Sequence, residues 1–382
     1  MSTKVPVASL RVHATINNSR NNFTEPIARP MTNRPPVPAC VLLAAGLVLL
    51  ACSTEDTSGD RSDAPTTEDA EDTAVLFTYF KGNGESGVFL KTSADGFDFR
   101  DINDGAPIFT PPESWPDDQQ LTRDPSVVYH DGAFHMVWTT NWEGRIFGYA
   151  RSPDLTSWTD TTLVRPFPAD LPDAQQPNNV WAPEVHYDPR NDNFFVLFSS
   201  TIPGRHGPED EGADAHDNNH RMYVVRTENF ESFTDAERFY DPGFSSIDGQ
   251  LVYDTTDSDD RRWLMAFKHE RMPEHGGKTL RLVSQDPDTG EFSDYGDPIV
   301  GPGSGLVEHW VEGPTLLKMD DGGWHLYWDA YRKGYYGVVR SQDLETWTDA
   351  TDKLEPGVED PRHGTFFQAP SDAVGEDGAM VR

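Results

Sequence analysis

Apolar residues along this chain come in short runs of strand length, each broken by Gly, Asp, Asn or Pro. The pattern is clearest in Val127-Val128-Tyr129, a His-Asp-Gly turn at 130–132, the runs 134–140 and 146–150, and then Trp158 with Thr159. Runs this short, rich in Val, Tyr, Phe and Trp and bounded by turn residues, predict β-strands. Four in succession predict one antiparallel unit. The unit recurs, because one phrase recurs with it: a small hydroxyl residue, any residue, Asp or Asn, three more residues, then an aromatic. It is written at Ser93, Asp95 and Phe99; at Ser152, Asp154 and Trp158; at Thr227, Asn229 and Phe233; and at Ser341, Asp343 and Trp347. A fifth copy, at Ser284, Asp286 and Phe292, carries two extra residues before its aromatic. The leading residues are 59, 75, 57 and 57 apart. Repetition on this scale marks units that stack because none can bury its apolar face alone.

Five four-stranded units predict an all-β fold, a five-bladed β-propeller whose radial repetition leaves only short edges. The first unit offers only three strands, at 75–80, 88–92 and 97–102. The run 365–368 supplies its fourth, so a C-terminal strand is expected to close the ring.

The first quarter of the chain breaks the pattern. Residues 37–51 (VPACVLLAAGLVLLA) form a 15-residue apolar run, short for a membrane span, followed by Cys52. The run resembles a bacterial lipoprotein signal, in which the cysteine takes the lipid. Residues 1–51 are therefore read as a signal region, with translation starting at Met31, and an uncleaved anchor is the alternative. Residues 52–73 are the lipidated Cys52 and an acidic tether of Ser, Thr, Asp, Glu and Gly. Residues 74–382 are one catalytic domain. The expected location is the cell envelope, periplasmic or at the surface, with the lipid anchor as the membrane contact. Both cysteines, Cys40 and Cys52, precede the domain, which excludes disulfides and thiolate chemistry from it. With 64 acidic against 31 basic residues the net charge is −33. That charge argues against nucleic acid and anionic lipid as partners, and a carboxylate-rich surface also suits a saline habitat. A neutral ligand fits that charge better, and a monomer with a carbohydrate substrate is expected.

The innermost strands of a propeller converge on its channel, so chemistry is sought where they start. Stepping back from each phrase gives Asp124, Glu184, Asp248 and Glu312, spaced 60, 64 and 64 apart, and then His363. One such acid is ordinarily a solvated residue. Four in register ahead of apolar strands converge on one mouth, where their proton affinities are pushed apart as a general acid and a general base require.

Arg123-Asp124-Pro125-Ser126, Trp181-Ala182-Pro183-Glu184, Ile247-Asp248 and Glu312-Gly313-Pro314 resemble, in order, the successive signatures of glycoside hydrolase family 43. The resemblance spans about 75–368 and implies a five-bladed propeller that removes sugar units from plant polysaccharides. It makes Asp124 the general base, Glu312 the general acid and Asp248 the residue that orients the acid and raises its pKa. It implies inversion, with acid and base roughly 6.5 to 9.5 Å apart. Two departures are Glu184 where the family has Asp, and Gly249 after Asp248.

Substrate contacts are expected from Trp181, Trp310 and Trp142 as stacking platforms, with Glu184, Arg362 and His363 beside them. Arg123 is read as a counter-charge, because neighbours along a strand point to opposite faces. No cofactor is required. The resemblance leaves room for a structural calcium ion in the channel, reached from His363 through water, and a channel-lining His without metal is the alternative. The loop 206–220, with His206, His216, His220, Asp210, Asp214 and Asp217, has a metal site's composition without its spacing and is read as a solvated insertion.

The expected activity is exo-acting hydrolysis releasing arabinofuranosyl, xylosyl or galactofuranosyl units from oligo- or polysaccharides. A non-catalytic carbohydrate-binding lipoprotein, a propeller fructosidase and a glycoside phosphorylase are the alternatives. The phosphorylase would need a basic cluster at the mouth.

Overall fold

The computed structural model describes residues 73–206, 218–256, 261–357 and 360–374. The expected signal region, Cys52, the tether up to residue 72, and His216, Asp210, Asp214 and Asp217 lie outside these residues.

The apolar runs form five antiparallel sheets. β1 (Thr73–Tyr79), β2 (Phe89–Ser93) and β3 (Arg100–Asp101) begin the first blade. The second holds β4 (Arg123–His130), β5 (Ala133–Thr139), β6 (Phe147–Ser152) and β7 (Thr159–Val164). The third holds β8 (Trp181–Asp188), β9 (Asn193–Ser200), β10 (Arg221–Thr227) and β11 (Glu237–Tyr240). In the fourth, β12 (Ser246–Asp254), β13 (Arg262–His269) and β14 (Thr279–Ser284) are followed by single bridges, Leu280 to Val300 and Gln285 to Phe292, where the outer strand falls. The fifth holds β15 (Glu312–Lys318), β16 (Trp324–Asp329), β17 (Tyr336–Ser341) and β18 (Thr348–Asp349). Then β19 (Phe366–Pro370) pairs with β1, from Thr73 opposite Pro370 to Phe77 opposite Phe366. The ring closes as the missing strand required.

The repeated phrase is the turn after the third strand of each blade. Ser93 Oγ accepts the Gly96 N–H at 3.0 Å, while Asp95 Oδ1 accepts those of Phe97 and Asp98 at 2.8 and 3.0 Å. Asp154, Asn229, Asp286 and Asp343 accept two backbone N–H groups in the same way. A short side-chain acceptor is what such a turn needs.

Apolar side chains collect in five clusters, one at each seam between neighbouring blades. The closing seam is aromatic. Phe366 stacks on Phe77 at 4.2 Å and on Tyr327 of the fifth blade at 3.8 Å, so one ring joins the last strand to both neighbours. Phe366→Ala is expected to lower stability by about 3–5 kcal/mol, read as a lower urea midpoint with unchanged slope. A loss below about 1 kcal/mol would show that closure rests on other contacts.

Candidate active site

Each inner strand carries one extra residue near its start. Opposite two residues of the neighbouring strand, β4 spends three between Arg123 and Ser126, β8 between Trp181 and Glu184, β12 between Ile247 and Gln250, and β15 between Glu312 and Thr315. The residue inside each bulge adopts a left-handed conformation: Asp124 (φ 50°), Ala182 (46°), Asp248 (55°) and Gly313 (56°). Asp tolerates this region better than most residues. At Gly313 a Cβ would also lie 2.4 Å from His363 Cδ2. In the closing blade Arg362 bridges Phe80 and the Thr78 N–H reaches Thr365 O, which gives His363 the matching place.

This register corrects the expected one. Asp124, Asp248 and His363 are equivalent, but Glu312 stands one residue before the bulge position and Glu184 two after it. The bulge also breaks alternation, so consecutive residues face the same way. Arg123 and Asp124 both line the mouth, as do Ile247 with Asp248 and Arg362 with His363, contrary to the argument that turned Arg123 away.

The mouth is a cavity of about 500 Å³. It brings together Asp124, Asp248, Glu312, His363, Arg362 and the three tryptophans Trp142, Trp181 and Trp310. Glu184 is not among its lining. It lies buried deeper in the channel, where Oε1 accepts the Thr365 hydroxyl at 2.8 Å. The platforms are partly occupied: the Arg123 guanidinium lies 3.8 Å above the Trp142 ring, and that of Arg332 lies 3.8 Å above Trp310. Trp181 donates from Nε1 to Trp142 O at 2.7 Å and meets its ring edge to face. A larger cavity, about 700 Å³, opens between the second and third blades, but its acids Asp160, Glu228 and Glu231 are exposed surface residues.

His363 Nδ1 sits 3.4 Å from Asp124 Oδ1 and 3.9 Å from Asp248 Oδ1. Burial disfavours its charge, yet Asp248, Asp124, Glu312 and Glu184 together raise its pKa. Asp248 accepts the Gly313 N–H at 3.1 Å, and burial pushes its carboxyl up to about 6 against the pull of His363 and Lys268. Glu312 differs from expectation. Burial pushes it up, but Lys268 Nζ at 3.0 Å, with His363 and Arg362, holds it below the usual carboxylate range. The repulsion from Asp248 that was to keep Glu312 protonated is outweighed by a buried ammonium.

Lys268 escaped the sequence reading because it comes from the second strand of its blade, opposite Ile247. The visible signal was a Lys closing the apolar run Trp263-Leu264-Met265-Ala266-Phe267, still within the strand that the run forms. Glu270 follows it, 2.7 Å from Lys268 Nζ and paired also with Lys278. Tyr331 and Arg332, in the turn after β16, complete the wall. Beneath Glu312, its cross-strand partner Asp329 is fully buried, with Arg362 Nε at 3.8 Å.

Metal ligation finds little support in the donors present. Among the described residues no three His, Cys, Asp or Glu side chains have metal-ligand spacing. His363 turns Nδ1 to two carboxylates in a setting that favours its protonated form, which is no ligand. In the histidine-rich loop, His220 is buried, its Nδ1 is 3.0 Å from the Thr201 hydroxyl, and burial pushes its pKa down to about 3.

A family profile described as a probable glycosyl hydrolase domain, related to family 43, matches residues 71–369. No curated protein matches the chain. Among solved structures, a thermostable family-43 glycoside hydrolase is 18% identical, with a TM-score of 0.46, over 63% of this chain and 78% of that one. An α-L-arabinofuranosidase from Lactobacillus brevis is 16% identical, with a TM-score of 0.45, over 65% of this chain and 74% of that one. A xylan β-1,4-xylosidase from Bacillus halodurans C-125 is 19% identical, with a TM-score of 0.42; 60% of this chain covers 41% of that one.

Glu184 gives a stability test. Burial first, then Asp248, raise its pKa to about 7 from 4.5, against Ser126, Thr365 and His363. Between those values the folded chain holds a proton that the unfolded chain has lost, so stability falls as pH rises through the window, by about 3 kcal/mol in all. Glu184→Gln keeps an acceptor for Thr365 and cannot ionise. Its stability relative to the parent is expected to grow between pH 5 and pH 8 in urea unfolding, and a pH-independent difference would contradict the assignment.

Proposed function

This chain belongs to the probable glycosyl hydrolase domain family, a relative of family 43, and from that premise we propose that it is an inverting, exo-acting glycosidase that releases arabinofuranosyl, xylosyl or galactofuranosyl units. The observation that carries the reading is one cavity in which Asp124, Asp248 and Glu312 meet around His363. A binding protein needs aromatics and hydrogen bonders, but not three carboxylates set against buried cations.

In this reading Asp124 draws a proton from a water below the anomeric carbon. Glu312 protonates the leaving oxygen on the opposite face, and the C–O bond breaks as the water oxygen bonds to carbon. His363, beside both Asp124 and Asp248, holds the two aspartates in place by charge. Asp248 is tied to the backbone of Gly313, next to Glu312, and thereby fixes the strand that carries the acid. Lys268 sets how readily Glu312 takes its proton. The reaction needs only these side chains and water.

Asp124→Asn and Glu312→Gln are each expected to lower kcat at least ~100-fold with an unchanged unfolding midpoint, the scale of a lost acid or base. Proton NMR of the first-formed anomer should show inversion; full activity in either variant, or retention, would overturn the roles. The pH profile adds a separate check. Because Lys268 depresses Glu312, activity that needs Glu312 protonated should fall on the alkaline side, and Lys268→Met should move that limb to higher pH. An unmoved limb would mean that Glu312 is not the titrating acid.

A further inference from the structure

The cations of the mouth exceed what its acids use. Glu270 is met by Lys268 and Lys278, Glu312 by Lys268 and more distantly by Arg362, and Asp124 and Asp248 by His363. Two guanidiniums share one aromatic ring, Arg123 at 4.7 Å and Arg362 at 5.8 Å from the centroid of Phe80, and the first of them is left without an anion. Arg123 is buried, and among the described residues no carboxylate lies within ion-pair distance of it. Its Nη1 donates only to the carbonyl and Oδ1 of Asn83, at 3.4 and 3.2 Å, and both are neutral oxygens. Arg362 pairs loosely with Glu312 at 3.7 Å and, through Nε, with Asp329 at 3.8 Å, but hydrogen-bonds neither.

Two like charges beside one ring repel, and a buried guanidinium lacking an anion is costly. Such an arrangement lasts where its partner arrives from outside. The planar fork of Arg matches the two oxygens of a carboxylate or the face of a sulfate, and the ring beneath keeps it flat and oriented. For a chain of net charge −33, this is a local reversal of sign at the place where substrate enters.

We propose that the glycan cleaved here carries an anionic substituent, a carboxylate or sulfate, seated on the guanidiniums of Arg123 and Arg362. This rests on the glycosidase reading for the word glycan, while the oxyanion site itself stands on the geometry of the two arginines. The shared chemistry also fits a free oxyanion such as phosphate, which would then be a co-substrate rather than part of the sugar.

The test is a binding measurement that needs no turnover. The full chain is titrated calorimetrically with D-glucuronate, D-xylose and inorganic phosphate, each at low and high sodium chloride. D-Glucuronate should bind at least tenfold more tightly than D-xylose at low salt. That advantage should shrink at high salt and disappear in Arg123→Gln, with Arg123→Lys restoring only part of it. Unfolding midpoints of both variants show whether the fold is kept. Equal binding of the two sugars, or an advantage that survives Arg123→Gln, overturns the proposal. Arg123-dependent binding of phosphate without D-glucuronate overturns the glycan-borne source. Because none of these outcomes depends on hydrolysis, failure of the glycosidase reading would appear separately, as lack of product from every glycan.

Discussion

One extra residue in each inner strand organises the whole site. A regular strand would send neighbouring side chains to opposite faces, one into the channel and one into a blade seam. The bulge turns two consecutive residues to the same side, and the left-handed residue within it bends the strand at the rim. The mouth therefore holds Arg123 with Asp124 and Arg362 with His363, twice the functional density that alternation permits. The bulges are held between blades as well as within them. The Asp248 carboxylate takes the N–H of Gly313, and the Ala182 N–H is held by Thr139 Oγ1 at 2.9 Å.

Below that rim the same strands change character. Ser126, Gln250 and Thr315 accept backbone N–H groups of the next blade, from Val185, Leu316 and Phe366. Their chemistry is structural because both ends of each bond are buried, where an unmade bond is expensive. Glu184 belongs to this deeper belt and not to the mouth, despite its likeness in sequence to the acids above it. Channel depth, a matter of two residues along one strand, separates a carboxylate that lines the mouth from one that laces the ring.

The fold was legible because its determinants are local and repeated: strand-length apolar runs, a Ser-x-Asp turn in each blade, and a missing strand that only the C-terminal run could fill. The carboxylates Asp124, Asp248 and Glu312 were legible because each stands beside Pro or Gly at a strand start. Their exact register was not, since a bulge leaves no mark in the spacing of apolar residues. Lys268 was hidden for another reason. It reaches the mouth from a second strand, and its effect on Glu312 depends on a 3.0 Å contact between residues 44 apart in the chain. Charge balance at a buried site is a property of the assembled ring, so the expectation that Asp248 would keep Glu312 protonated yielded to a cation that no stretch of sequence announces.

Closure by β19 also sets the order in which the site can exist. Arg362 and His363 enter the mouth on the segment that leads into β19, held to the first blade through contacts such as Thr78 to Thr365 that span 287 residues. A chain emerging from its N-terminus can stack four blades and still lack the imidazole between the two aspartates and one of the two guanidiniums. Asp124 and Asp248 would then face each other across an open ring without their shared counter-ion. Arg362 and His363 are thus the last side chains of the mouth to be made, and the two aspartates gain their shared counter-ion only when this final segment joins the first blade.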